Sequence, residues 1–219
     1  NAYRGCNGVP LMDEATTDRL MLNVPHAIRD IPGWLLWKYE TEDGKLLKMP
    51  KYATTGNTRG KQGTPEDRAN LVTFKAVMEA FQEGGFDGVG IATLPDFGIV
   101  AGDFDDKKGE GLHRDAMELA NTTYAEKSPS GKGIRALWLG SMASKKNNAI
   151  GVEVFGSTGF VTITGNVIND LEPEPLPAHV RQRLEALTGG SAVDAQPAIG
   201  GTRMADPKQV AEHPLRVGL

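Results

Sequence analysis

Phe97-Gly-Ile-Val-Ala-Gly-Asp-Phe-Asp105 decides how the rest of the chain is read. Six apolar or small residues run into an Asp-Phe-Asp end, which is the pattern of a buried strand whose tip emerges into a polar site. Side chains alternate across a strand, so Asp103 and Asp105 share one face while Phe104 points to the core. Two carboxylates side by side repel unless a positive group lies between them, and a hard divalent cation with oxygen ligands is the natural partner. Asp106 has the opposite parity and reads as a solvated neighbour.

Outward from this strand, elements of both kinds are expected. Ile31–Tyr39 reads as a strand with Trp34 and Trp37 in the core, and Asp43-Gly44 as a hairpin turn. Lys45–Tyr52 reads as a basic return strand, placed at a sheet edge by Pro50. Thr54–Gly63 is a loop. Thr64-Pro65-Glu66 starts a helix, Leu71, Phe74, Val77, Met78 and Phe81 keep helical spacing, and Gly84-Gly85 ends it. Val89–Leu94 and Phe97–Phe104 read as strands, Leu112–Thr122 as a helix, and Ile134–Leu139, Ala149–Phe155 and Phe160–Ile168 as three more strands. Pro177–Leu187 closes the series as a helix. Strands and helices mix without a strict βαβ rhythm, so the expected class is α+β with mostly antiparallel strands.

The 219 residues suffice for a full core. No apolar run approaches the ~18–20 residues of a membrane span, and no signal-peptide layout opens the chain, so no membrane partner is expected. Asn1 in place of Met suits a piece of a longer polypeptide. The single Cys6 excludes an intrachain disulfide and a Cys-based zinc site, which fits a reducing, cytoplasmic setting. His26, His113, His179 and His213 share no metal-ligand spacing, and there is no nucleophilic triad. The net charge of −4 excludes a globally basic nucleic-acid binder. Local charge differs: Lys45, Lys48, Lys51, Arg59 and Lys61 occur with no acid among them, as do Lys127, Lys132, Arg135, Lys145 and Lys146. A solvated loop accounts for either run alone. Their placement around the carboxylate strand favours a phosphate-lined groove, with the first run along DNA.

Glu153 lies between Val152 and Val154 in an apolar strand and would complete a set of carboxylates with Asp103 and Asp105. Such a set can hold Mg²⁺ or Mn²⁺. Ser128-Pro-Ser-Gly-Lys-Gly133 is a tight turn whose glycines let backbone amides approach phosphate oxygens, with Lys132 adding charge. It is not a P-loop, because the required spacing is absent and a strand follows. Arg135 points to the polar face of that strand, where its fork suits phosphate.

In this order the motifs resemble the archaeo-eukaryotic primase superfamily, and more narrowly the bifunctional primase–polymerase domain of phage, plasmid and prophage replication proteins. The D-x-D motif is matched by Asp103 and Asp105, and the S-x-S-G-x-G motif by Ser128 through Gly133. The acid in an apolar strand is matched by Glu153, and the T-x-T-G segment by Thr162 to Gly165. An opening W-K strand and K-x-P turn are matched by Trp37-Lys38 and Lys48-Met-Pro50. The resemblance covers about residues 30–170. It implies an RRM-like catalytic sheet with an additional N-terminal α/β module, and metal held by Asp103, Asp105 and Glu153. It also implies nucleotide contacts from Ser130, Gly131, Lys132, Gly133, Arg135, Thr162 and Thr164. Two departures stand out: Arg135 replaces the family's histidine, and Gly159-Phe160 stands where a basic residue is common.

The expected organisation is a lead-in over 1–30 and a catalytic domain over 31–188. Within the latter, the module takes about 31–95, the catalytic sheet about 96–170 and a closing helix 177–187. A linker or disordered tail follows over 189–219. The expected activity is primase and DNA polymerase: transfer from an NTP or dNTP to a primer or starting nucleotide on single-stranded DNA. The resemblance extends this to a bacterial host or a phage- or plasmid-encoded protein, with a helicase domain or protein as partner. Two rivals stay open: a two-metal nuclease, and a catalytically inactive origin- or single-strand-binding module.

Overall fold

The computed structural model describes residues 14–189. Cys6, His213, residues 1–13 of the lead-in and the tail from 190 lie outside the described residues. The fold is α+β, with helices and two antiparallel sheets.

The chain begins with helices α1 (Glu14–Asn23) and α2 (His26–Arg29), then strands β1 (Trp34–Glu42) and β2 (Lys45–Lys51). Asp43 and Gly44 form their hairpin turn with positive φ at both positions, the signature of a tight primed turn. Where one helix is expected over 64–83 there are two, α3 (Pro65–Asn70) and α4 (Phe74–Gln82). Val72 is drawn out between them to exchange both backbone hydrogen bonds with Trp34, and the Thr73 hydroxyl then caps α4 by accepting from the Ala76 amide. Strands β3 (Gly88–Ala92) and β4 (Ile99–Phe104) follow, then α5 (Ala116–Ala120), β5 (Tyr124–Lys127), β6 (Ile134–Leu139), β7 (Lys145–Asn147), β8 (Val152–Phe155), β9 (Phe160–Ile163) and α6 (Ala178–Thr188). β5 and β7 have no counterpart in the sequence reading. At four and three residues they are too short to display alternation.

The first sheet has the order β2-β1-β3-β9 and the second β5-β6-β4-β8-β7. β2 is an edge, as Pro50 requires. β9, expected within the catalytic sheet of about 96–170, pairs with β3 in the first sheet. Within the second sheet β5, β6, β4 and β8 lie side by side, with α5 as the crossover between β4 and β5. A short β7 strand stands between β6 and β8, and α6 comes only after β9.

β4 is buried on both faces. Ile99 and Ala101 join the first core, with Trp34, Leu36, Val89, Ile91, Val161 and Ile163 of the first sheet and residues of α1, α2 and α4. Val100 and Phe104 join the second core, against Trp138, Val152, Val154 and residues of α5 and α6. Asp103 lies on the same face as Ile99 and Ala101, one step past the end of the first core. Among the described residues, no helix is long and apolar enough to cross a membrane.

The loop after β2 is held by a buried ion pair. Arg59 donates through Nε and Nη2 to both oxygens of Asp67 at 2.8 Å, and through Nη1 to the Gly159 carbonyl. Tyr52 and the Gly63 amide also donate to Asp67. Burial pushes the Asp67 carboxyl up, but these hydrogen bonds outweigh it and hold the pKa below the usual value. Arg59→Ala should cost about 3–5 kcal/mol, because it leaves a buried carboxylate unpaired. The pH sign follows from the depressed value. The stabilisation is complete above the unfolded pKa near about 4 and is lost as pH falls through the folded one. Denaturant melts from pH 7 to 3 check this: Asp67→Asn should be less stable at pH 7 and show a flatter acid limb.

Candidate functional site

The candidate residues meet on the face of the second sheet that continues from the first core. Cross-strand register places Glu126 opposite Arg135, Arg135 opposite Asp103, Asp103 opposite Glu153, and Glu153 opposite Lys146. One charged row thus crosses all five strands, and directly opposed residues of antiparallel strands share a face. Asp103 and Glu153 are like charges in direct opposition, an arrangement that costs stability unless cations attend it. Asp105 follows on the same face of the chain. Its amide donates to the Gly151 carbonyl at 2.8 Å.

Arg135 is the nearest cation. It is only 4% exposed, and its Nε lies 3.1 Å from Asp103 Oδ1. The contact is an ion pair without hydrogen-bond geometry, so Asp103 Oδ1 is buried with no hydrogen-bond donor. Arg135 Nη1 donates to the Thr162 carbonyl at 3.4 Å. Lys48, half-buried on β2, brings a second positive charge. Burial lowers its pKa first and Arg135 lowers it further, while Asp103 and Asp105 oppose both. Burial raises the Asp103 carboxyl, Arg135 opposes this and Asp105 adds to it. Burial likewise raises Glu153, opposed by Lys146 and reinforced by Asp103 and Asp105. The three carboxylates therefore sense one another's charge. Among the described residues, no group of three or more His, Cys, Asp or Glu side chains is gathered to hold a metal ion.

The Ser128–Gly133 turn lies against the site. An ideal Cβ at Gly133 would fall 2.5 Å from Asp105 Oδ1 and 2.9 Å from the Phe104 carbonyl, so only glycine allows this approach. The expected cradle of free amides is corrected. Gly131 N donates to the Ser128 carbonyl, Lys132 N to Ser130 Oγ and Gly133 N to Ser128 Oγ, so these amides maintain the turn itself. Ser130, Gly131 and the Lys132 side chain remain exposed.

Thr162 and Thr164 sit on the chain that crosses from the first sheet to the second. Thr162 Oγ1 is buried without a partner. Thr164 Oγ1 donates to the Lys127 carbonyl, and beyond Gly165 the segment pairs with β5. Glu126, absent from the sequence reading, holds this crossing. It is fully buried, accepts from the Thr164 and Gly165 amides at 2.9 and 3.0 Å, and accepts from the Tyr124 hydroxyl at 3.0 Å. Burial raises its pKa, while Arg135 and the three donors oppose the rise.

The expected DNA-facing run divides. Lys45 and Lys61 are exposed, and Lys48 turns toward the carboxylates. Lys51 and Arg59 are corrected. Lys51 is buried and bonds Glu40 at 2.6 Å and Thr58 at 2.8 Å, and Arg59 is consumed by Asp67. Neither is available to track a phosphate backbone.

Gly151 sets the strand register at this site. It has φ +66°, and a Cβ there would collide with the Asp105 carbonyl. Gly151→Ala should cost about 1–3 kcal/mol from backbone strain alone, before the collision. A thermal melt of the variant checks the prediction, and a loss of activity larger than the loss of stability would place the damage at Asp105. Neither a scan against protein-family models nor a search of curated proteins returned a match to this chain.

Proposed function

We propose that the chain is a divalent-metal-dependent nucleotidyltransferase that makes or extends a primer on single-stranded DNA from NTP or dNTP. The observation that carries the reading is the direct opposition of Asp103 and Glu153 on β4 and β8, with Asp105 following and Asp103 Oδ1 buried without a donor. An all-oxygen carboxylate set suits Mg²⁺ or Mn²⁺ and not softer metals. Asp103, Asp105 and Glu153 would hold the cation, which when bound supplies Lewis-acid charge to a phosphoryl group and its leaving oxygen.

The remaining roles belong to the chain itself. Arg135 and Lys48 oppose the rise that burial imposes on Asp103 and leave positive potential beside it, which suits an incoming triphosphate. Lys132, exposed on a turn that touches Asp105, is placed to meet the outer phosphates. Lys45 and Lys61 are the exposed cations of the first basic run and suit a template backbone.

The test is incubation with single-stranded DNA, Mn²⁺ or Mg²⁺ and labelled nucleotides, with and without a primer. Primer lengthening supports the proposal. Shortening without nucleotides would make the protein a nuclease. Metal-independent binding with no incorporation would make it a binding module.

A further inference from the structure

A cavity of about 260 Å³ opens between α1, β1 and the Ser128–Gly133 turn, and the chemistry proposed above does not use it. It is smaller than the roughly 300–1,000 Å³ of sites that enclose a drug-sized ligand, so it suits a single ring system. Its floor is apolar, with Leu20, Trp37 and Ile163 buried there. Its rim is polar: Asp87 and Asn166 are exposed, and Tyr39 is half-buried. The Tyr39 ring stands perpendicular to Trp37, with centroids 5.0 Å apart and planes at 88°. A perpendicular contact covers at most one face of the tyrosine ring, so Trp37 leaves the other for a flat partner.

The rim groups suit the edge of such a partner. Asp87 Oδ2 accepts from the Tyr39 amide at 2.7 Å, and among the described residues its Oδ1 has no donor. The Asn166 side-chain amide bonds no described residue and offers both a donor and an acceptor. Arg19 stands at the wall, with its Nε donating to the Thr164 carbonyl at 3.0 Å, and adds positive charge. Lys48 lies directly opposite Tyr39 in the β1–β2 register and senses the charges of Asp103 and Asp105, so the cavity adjoins the carboxylate site. A flat ring with donors and acceptors on its edge, carried on an anionic chain, is a nucleobase. We propose that this cavity receives one unpaired base of a single strand, stacked on Tyr39, and so anchors the strand beside the carboxylates. The inference rests on the reading that the chain binds single-stranded DNA, and it needs no metal ion. A base within a duplex has its faces in the stack and its edge on its partner, so it cannot enter without leaving the helix.

The test is fluorescence anisotropy of the full chain with labelled oligothymidylate and with an abasic strand of equal length, without metal ion or nucleotide. Stacking of a base on an aromatic side chain is lost on alanine substitution at a cost of about five- to 150-fold in affinity. The parent should prefer oligothymidylate to the abasic strand by such a factor. Tyr39→Ala should lose that preference, binding oligothymidylate correspondingly more weakly and the abasic strand as the parent does. The salt slope should not change, because no phosphate contact is removed. Tyr39→Phe keeps the ring and should stay within about twofold of the parent. If Tyr39→Ala does not fold, Tyr39→Leu keeps apolar packing on Trp37 without the aromatic face and carries the same expectation. Equal loss on both strands, a shallower salt slope, or equal loss in Tyr39→Phe would overturn the proposal. Free thymidine monophosphate is the second arm. Monophosphate binding that Tyr39→Ala abolishes, with strand affinity unchanged, would assign the cavity to a nucleotide and overturn the strand anchor. A parent that binds both strands equally sinks the base site alone, whereas a parent that binds neither sinks the DNA reading as well.

Discussion

Asp103→Asn should reduce nucleotide incorporation by about a thousandfold or more while leaving the fold in place. Loss of a single group that stabilises developing charge typically costs 10²–10³ in turnover, and a ligand shared with a catalytic cation stands at the upper end. The fold should survive for a local reason. The substitution removes one of two opposed carboxylates on β4 and β8 and so relieves repulsion with Glu153. Arg135 keeps its hydrogen bond to the Thr162 carbonyl and stays opposite Glu126 in the register. Apo melting should therefore stay within about 1 kcal/mol of the parent. Primer extension under single-turnover conditions, read beside a denaturant melt, decides the matter. Full activity in Asp103→Asn would remove Asp103 from the chemistry. A collapse of stability with proportional loss of activity would make it a structural charge only.

Arg135→Ala should have the largest effect on stability at the site. The guanidinium is the cation nearest to Asp103 and stands opposite Glu126, and both carboxyls are already raised by burial. Removing one partner of a buried charge cluster costs about 3–5 kcal/mol, since the remaining charges stay desolvated. The pH dependence carries a sign that separates this cause from lost packing. A carboxyl whose folded pKa lies above its unfolded value binds protons more readily in the folded state, so stability rises as pH falls toward the unfolded pKa. Without Arg135 both carboxyls lose the interaction that opposes the rise. The deficit of Arg135→Ala should thus be greatest at pH 8 and shrink toward pH 5. A deficit that is constant with pH would mean that packing, not charge, was lost. Adding Glu126→Gln to Arg135→Ala should restore part of the stability, because it removes a buried carboxyl that has lost the opposing charge of Arg135.

The Arg135 result also bears on its expected role with nucleotide. A residue 4% exposed and flanked by two carboxylates is chiefly an internal counterion. Lys132, exposed on the adjoining turn, is the stronger candidate for an outer phosphate contact. A nucleotide effect of Arg135→Ala should accordingly be interpreted only after its stability loss has been measured.

Where a residue's place follows from its near neighbours in the chain, the sequence was legible. Alternation along Ile99–Phe104 was enough to send Phe104 to the core and Asp103 to the other face, because a strand's pleat is a local property. Pro50 marked an edge for the same reason, since a missing amide is a covalent fact. Asp43-Gly44 and the Thr64 cap with Pro65 were equally local.

Other features depend on partners remote in sequence, and only the tertiary structure decided them. Arg59 and Lys51 look like free cations in a basic run until folding brings Asp67 and Glu40 against them. The amides of the Ser128–Gly133 turn look available until the turn closes on its own serines. Phe160–Ile163 follows the second sheet in the chain, yet β3 offers it a pairing edge in the first. Glu126 shows no signal in Tyr124-Ala-Glu-Lys127, since beyond the Tyr124 hydroxyl the donors that hold it, the Thr164 and Gly165 amides, stand 38 and 39 residues away. Strand, turn and cap chemistry, read from the chain alone, therefore determined the α+β class and the face on which the carboxylates emerge. Which charges are consumed by the fold and which remain for function was settled by burial. A charge taken out of water must find a partner wherever the topology places one, and sequence distance does not limit where that is.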